Sequence, residues 1–187
     1  MTQDPKALED QVAGTGDAGN PPLDQWNPAL CGDIDIRIAR NGEWFFKNEK
    51  MQRQALVKLF TSILRREDDG HYYLVTPAEK WRIQVEDTPL LAHSVEVTGE
   101  GRGQNVDVTT NVGETLRIGR AHPLHLGTYA ETGEPRPIIR VRQGLEARLV
   151  TAAFYDLAGY VTEKTIEDRD VLGVWSDGIF FELGEGG

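Results

Sequence analysis

The sequence predicts an α+β protein built from two related sheet-plus-helix halves. Three observations carry this expectation. Short runs alternate between apolar and polar residues and end at Asn-Gly or Asp-Gly pairs, the pattern of half-buried strands joined by tight turns. Two longer stretches space their apolar residues three and four apart, as a helix with one buried side requires. Part of the pattern also repeats. Arg53-Gln54-Ala55-Leu56 is echoed by Arg142-Gln143-Gly144-Leu145, and Asp69-Gly70-His71-Tyr72-Tyr73-Leu74-Val75 by Asp177-Gly178-Ile179-Phe180-Phe181-Glu182-Leu183. Each half then reads as strand, helix, Asp-Gly turn and aromatic strand, the trace expected of an internal duplication.

Residues 1–22 are acidic, rich in Gly, Asp and Gln, and poor in large hydrophobes, so they are expected to form a disordered acidic tail. The N-terminal α+β half is expected over 23–84 and the C-terminal half over 85–187. In Asp33–Ala39, Ile34, Ile36 and Ile38 point one way and Asp33, Asp35 and Arg37 the other. Asn41-Gly42 turns that strand back into Trp44-Phe45-Phe46. A helix is expected over Met51–Arg66, with Leu56, Leu59, Phe60 and Ile63 on one stripe. After Asp68-Asp69-Gly70 come strands over His71–Val75 and Lys80–Val85, and a hairpin over His93–Thr98 and Gln104–Thr109 around Gly99–Gly103. Short strands follow at Thr115–Ile118 and Ile138–Val141, separated by a loop over Ala121–Pro137. A second helix is expected from Gly144 to Tyr160, and a last hairpin around Asp177-Gly178. Leu56, Phe60, Ile63, Leu149, Phe154 and Leu157 are the expected helical core positions.

Of the 187 residues, 39% are hydrophobic and 27% charged, the balance of a globular protein. No apolar run reaches the ~18 residues of a membrane span, and the acidic N-terminus lacks the apolar core of a secretory signal. A cytoplasmic location is the resulting expectation. The single cysteine, Cys31, excludes an internal disulfide and any zinc site with more than one thiolate. A formal net charge of −10 argues against a general nucleic-acid binder, which needs an electropositive surface. The charge is uneven, however. Arg37, Arg40, Lys47, Lys50, Arg53, Lys58, Arg65 and Arg66 face only Glu43 and Glu49 within their stretch, and Arg136, Arg140, Arg142 and Arg148 form a second basic group.

Several motifs fail on context. Gly14-Thr15-Gly16-Asp17-Ala18-Gly19 spells a dinucleotide-binding pattern, but no strand precedes it and Asn20-Pro21-Pro22 follows where a helix should begin. Gly99-Glu100-Gly101-Arg102-Gly103 lacks the Lys-Ser/Thr of a phosphate-cradling loop and runs into a strand. His122 and His125 have no third metal ligand in view. Ser62, Ser94 and Ser176 lie in no nucleophile elbow. Asp33 and Asp35 share a strand face and would suit metal-assisted chemistry only with further oxygen ligands. No cofactor is implied.

The arginines carry the functional expectation. Arg53 and Arg142 are expected at corresponding helix starts, where a cation opposes the helix dipole and calls for a compensating carboxylate or bound anion. Arg65, Arg66, Arg140 and Arg148 lie near them in sequence, with Tyr73 and Trp81 as stacking candidates.

Four blocks, Cys31-Gly32-Asp33-Ile34-Asp35, Leu64-Arg65-Arg66-Glu67-Asp68-Asp69-Gly70, Leu74-Val75-Thr76-Pro77-Ala78-Glu79-Lys80 and Val85-Glu86-Asp87-Thr88-Pro89, resemble the DUF1285 family of uncharacterised bacterial proteins. The likeness runs from about Leu23 to Gly159; Asn48-Glu49-Lys50 departs from the Gly-Ser-Pro type of the family. The resemblance implies a domain duplication and a second half superficially like pleckstrin-homology folds. It also implies a ligand site between the halves, for a nucleotide-like molecule, and a role in signal transduction. The leading expectation is therefore a non-catalytic ligand-binding or regulatory module that takes a small anionic, nucleotide-like ligand through Arg53, Arg65, Arg66, Arg140, Arg142, Arg148, Tyr73 and Trp81. The alternatives are a protein-interaction adaptor and a metal-assisted enzyme using Asp33 and Asp35.

Overall fold

The computed structural model describes residues 4–15 and 20–187. The chain divides into two compact units, Met1–Pro89 with Gln143–Leu145, and Leu90–Arg142 with Glu146–Gly187.

The first unit opens with helix α1 (Pro5–Ala13), followed by β1 (Leu30–Ile38), β2 (Trp44–Phe46), β3 (Glu49–Lys50), α2 (Gln54–Ser62), β4 (Leu64–Arg66), β5 (Tyr72–Val75) and β6 (Lys80–Val85). Its six-stranded sheet has the order β3-β2-β1-β6-β5-β4. The central pair β1–β6 is parallel and the others are antiparallel. The alternation of β1 behaves as expected: Ile34, Ile36 and Ile38 are buried while Asp33 and Asp35 are exposed. The Asn41-Gly42 turn pairs Ile38 with Trp44, and Gly42 takes a φ of 83° that a side chain rarely adopts. Trp44, Phe60, Ile63, Leu74 and Trp81 are among the fully buried side chains of this unit, and Trp44 lies 6.2 Å from Phe60 between ring centroids.

The second unit contains β7 (Leu90–Thr98), β8 (Asn105–Thr110), β9 (Thr115–Arg117), β10 (Leu124–Thr128), β11 (Pro135–Arg140), β12 (Glu146–Leu149), α3 (Thr151–Ala158), β13 (Thr162–Ile166), β14 (Arg169–Ser176) and β15 (Ile179–Glu185). Its main sheet runs β10-β11-β12-β7-β8-β9. The central pair β12–β7 is parallel. Read from the other edge, this is the strand order of the first unit: two three-stranded meanders joined through a parallel pair of first and last strands. The two units are related sheet-plus-helix halves. The second adds α3, which lies against β7 and β12, and the separate meander β13-β14-β15. Ser176 fastens that meander. Its buried hydroxyl accepts from Val106 N–H and donates to Ile118 O. Likeness to pleckstrin-homology folds remains an implication of the family resemblance.

Five expectations change here. The loop expected over Ala121–Pro137 contains β10 and the start of β11, which pair with each other. The helix expected over Met51–Arg66 is confined to Gln54–Ser62. The backbones of Arg65 and Arg66 are instead committed to a ladder with Tyr73 and Tyr72, so long-range pairing overrides helix propensity. The helix expected from Gly144 is confined to Thr151–Ala158. Gln143 and Gly144 have φ of 49° and 74°, which no helix accommodates, and Glu146–Leu149 pairs on both sides as β12. Arg53 caps α2, but Arg142 sits in the β11–β12 turn, so the two do not occupy equivalent helix starts. Finally, part of the expected tail is a helix. Asp4 accepts from Lys6 N–H at 3.0 Å, Pro5 opens α1, and Leu8 and Val12, four apart, are fully buried. Two apolar residues at helical spacing count for more than the polar average around them. Gly16, Asp17, Ala18 and Gly19 of the glycine pattern lie outside the described residues.

Of the expected helical core, Phe60, Ile63, Leu149 and Leu157 are buried, while Leu56 and Phe154 are partly exposed. Among the described residues, no helix is long and apolar enough to cross a membrane.

Candidate functional site

The β4–β5–β6 end of the first unit gathers the densest set of charges. Register places Leu64, Leu74 and Trp81 on the core side, and Arg65, Tyr73 and Arg82 on the opposite face. Arg65 is drawn under the segment that enters the fold: its Nη1 donates to Leu23 O at 2.8 Å and Trp26 O at 2.9 Å. Its Nη2 donates to Glu67 Oε1 at 2.6 Å. Lys80 Nζ reaches both oxygens of Glu67 at 3.1 Å and lies 4.9 Å from the Tyr73 ring centroid. These three side chains keep only 12%, 17% and 26% of their surface for Arg65, Lys80 and Glu67, so their contacts are stronger than those of a solvated pair. Arg65 Nε is buried and makes no hydrogen bond among the described residues.

Burial alone would raise the Glu67 carboxyl. Hydrogen bonds and charges from Arg65 and Lys80 outweigh it and hold the group below the usual carboxylate range. Tyr73 donates its hydroxyl to Asp69 Oδ2. That bond, reinforced by burial, pushes the phenol up to about 12, and the same bond with the His71 N–H holds Asp69 down. The result is a depression of about 570 Å³ lined by Asn27, Arg65, Arg66, Glu67, Asp68, Asp69 and Lys80, with Pro28 at its wall.

Arg66 is the exposed cation of this depression. Its Nε donates to Gly70 O at 3.4 Å, its guanidinium lies 5.5 Å from the Tyr72 ring centroid, and it forms no ion pair among the described residues. Its own N–H donates to Gln143 O. At Gly144 an added Cβ would stand 3.0 Å from Arg66 Cβ and O, so that turn needs a glycine both for its φ and for this approach.

The structure brings Arg65, Arg66 and Tyr73 to this place and sends the other expected site residues elsewhere. Arg53 forks onto Glu9 at 2.9 and 3.2 Å. Arg142 pairs with Glu114 at 2.7 Å. Arg140 is an exposed residue of β11 and Arg148 a half-buried one of β12. Trp81 is buried, donating Nε1 to Glu79 at 3.2 Å. Asp33 has both oxygens on Arg82, at 2.6 and 2.9 Å, and that hydrogen bond lowers its pKa. Among the described residues, no three His, Cys, Asp or Glu side chains come together as a metal site. Glu67, Asp69 and Lys80 were not foreseen. The charge run Arg65–Asp69 was the available signal, but read as a helix end it gave no reason to set Lys80 beside Glu67.

Fold and site define a two-domain α+β protein with duplicated strand order and a charged depression on its N-terminal half. The chain belongs to the DUF1285 family: the N-terminal domain of that family of unknown function matches residues 21–88, and its C-terminal domain residues 89–183. A DUF1285 family protein from Silicibacter pomeroyi DSS-3, solved at 2.50 Å, is 43% identical over 94% of each chain, with a TM-score of 0.82. One from Shewanella baltica OS155 is 27% identical over 67% of this chain and 91% of its own, with a TM-score of 0.52. No curated protein matches the chain.

Proposed function

We propose that the protein is a non-catalytic ligand-binding module of a regulatory, signal-transducing kind, whose ligand seats an anionic group on Arg66 in the depression of the first unit. One observation carries this reading. Arg66 is charged, exposed and without an ion-pair partner among the described residues, while Arg65 and Lys80 beside it are held by Glu67. A hollow of about 570 Å³ is the size that small ligands occupy. A forked guanidinium suits phosphate or carboxylate. The lining sets Arg65, Arg66 and Lys80 against Glu67, Asp68 and Asp69. A polyphosphate meets repulsion there, whereas a ligand with one anionic group and a donor for Asp68 matches the balance. A nucleoside monophosphate is the nucleotide-like molecule of that description. The engagement of Asp33 by Arg82 speaks for binding over metal-assisted chemistry at Asp33 and Asp35.

The test is a thermal-shift titration with nucleoside monophosphates, triphosphates and small amphoteric carboxylates. A ligand that prefers the native state raises Tm. The expected result is a shift with a monophosphate or amphoteric carboxylate, lost in Arg66→Ala and kept in Arg142→Ala. No shift with any of them, or a shift that survives Arg66→Ala in a folded variant, overturns the site. Turnover of the bound molecule overturns the non-catalytic reading.

A further inference from the structure

We propose that α1 is a displaceable occupant of a helix-binding groove on the first unit, and that the groove's partner is an acidic amphipathic helix with the residue spacing of α1. At nine residues, α1 is shorter than the roughly 12–15 that an isolated helix needs in water, so its order comes from the surface that receives it. The contacts are those of a recognition site. Leu8 and Val12 are fully buried. Glu9 takes the fork of Arg53 at 2.9 and 3.2 Å. Gln11 accepts from Thr76 Oγ1 at 2.7 Å and donates to Glu79 Oε2 at 3.1 Å. One helix face is thereby read at four positions: Leu, Glu one residue on, Gln three on, Val four on. Apolar positions at i and i+4 anchor helix-in-groove complexes.

Three observations separate the groove from its occupant. Arg53, Thr76 and Glu79 lie inside the N-terminal family match, residues 21–88, whereas α1 precedes it. The charges are complementary where they meet, Arg53 forking onto Glu9, with Lys50, itself paired with Glu43, lining the same hollow as Asp4 and Glu9. Alongside the first turn of α1, a hollow of about 300 Å³ has Phe46, Met51 and Leu56 as apolar wall, with Lys50 and Arg53 outnumbering Glu49 among the charges of the groove side. A partner helix with bulkier side chains in its first turn fills more of that space than Asp4, Pro5, Lys6 and Glu9 do. The partner competes with a tethered segment, so it must exceed the effective concentration of α1 in its own chain.

The probe is a fluorescent peptide of residues 4–15, titrated into the full chain, into full-length Leu8→Asp, whose own α1 cannot seat, and into Arg53→Glu. The expected result is binding to Leu8→Asp at least about tenfold tighter than to wild type, since the tethered competitor is gone. A Glu9→Arg peptide should lose that affinity and regain it on Leu8→Asp/Arg53→Glu. Equal binding to wild type and Leu8→Asp, no binding to a Leu8→Asp chain that keeps its near-ultraviolet circular dichroism, or indifference to the charge swap overturns the proposal. If Leu8→Asp fails to fold, Arg53→Glu decides, because Arg53 is 65% exposed. Faster amide exchange over residues 8–12, with the exchange of β1 and β6 unchanged, supports a displaceable α1, and unchanged exchange over 8–12 overturns it.

Discussion

The two six-stranded sheets share a strand order but differ in where they place a helix. In the first unit α2 fills the crossing between the two meanders; in the second, residues 118–123 make that crossing without a helix, and α3 follows the last strand. What the halves hold in common is the long-range pairing, with β1 beside β6 and β7 beside β12. What differs is what covers the sheets. Arg65 and Lys80 belong to strands whose counterparts in strand order are β10 and β12, and in the second unit the corresponding β11–β12 end has Arg142 paired with Glu114. A duplicated framework has therefore kept its backbone ladder and taken two different sets of charges.

The comparison is open to test, from the largest effect down. Phe60 of α2 is fully buried and Phe154 of α3 only partly so. Phe60→Ala should cost about 3–5 kcal/mol in a denaturant titration, and Phe154→Ala clearly less. Equal losses would mean that the two helices cover their sheets alike. Glu67→Ala leaves Arg65 and Lys80 without their shared carboxylate and should cost about 1.5–3 kcal/mol, whereas Glu114→Ala, at a more exposed single pair, should cost no more than about 1 kcal/mol. Reversal of that order would remove the distinction between the clasp and an ordinary surface pair.

Ser176 bears on the same difference, because the second unit has a separate three-stranded sheet to fasten. Ser176→Ala strands Val106 N–H and Ile118 O in a buried place and should cost about 1–3 kcal/mol. A midpoint equal to wild type would show that the β13-β14-β15 meander is held without this hydroxyl, by packing and by the bonds of Gln104 to Trp175 and Asp177. The smallest effect is a pH dependence. Tyr73 has its pKa raised from 10.0 to about 12, so its bond to Asp69 contributes stability fully present below pH 10 and lost as pH rises towards 12. Glu67, lowered from 4.5, contributes stability present above that value and lost as pH falls below it. Tyr73→Phe should remove the Tyr73 contribution to the alkaline limb and weaken that of Asp69 to the acid limb, leaving that of Glu67; an unchanged alkaline limb would separate Tyr73 from it.

The sequence by itself determined the local pieces. The alternation of Ile34, Ile36 and Ile38, the turn at Asn41-Gly42, the stripe around Phe60 and Ile63 and the four family blocks all follow from neighbours within a few residues, because side-chain period and turn geometry are local properties of the backbone. Duplication was legible too, but through an echo that pointed to the wrong counterparts. Arg53 and Arg142 look alike in a string of letters and occupy a helix cap and a strand turn in space. Only the tertiary structure decided which strands pair, that Leu8 and Val12 order a helix in an acidic stretch, and which cations keep a partner. Those outcomes depend on contacts between residues far apart in the chain, such as Arg65 with Leu23, Glu67 with Lys80 and Arg53 with Glu9. A charge far from its partner in sequence has no local pattern to reveal it: its Coulomb energy depends on distance and burial, and both are set only when the sheet closes.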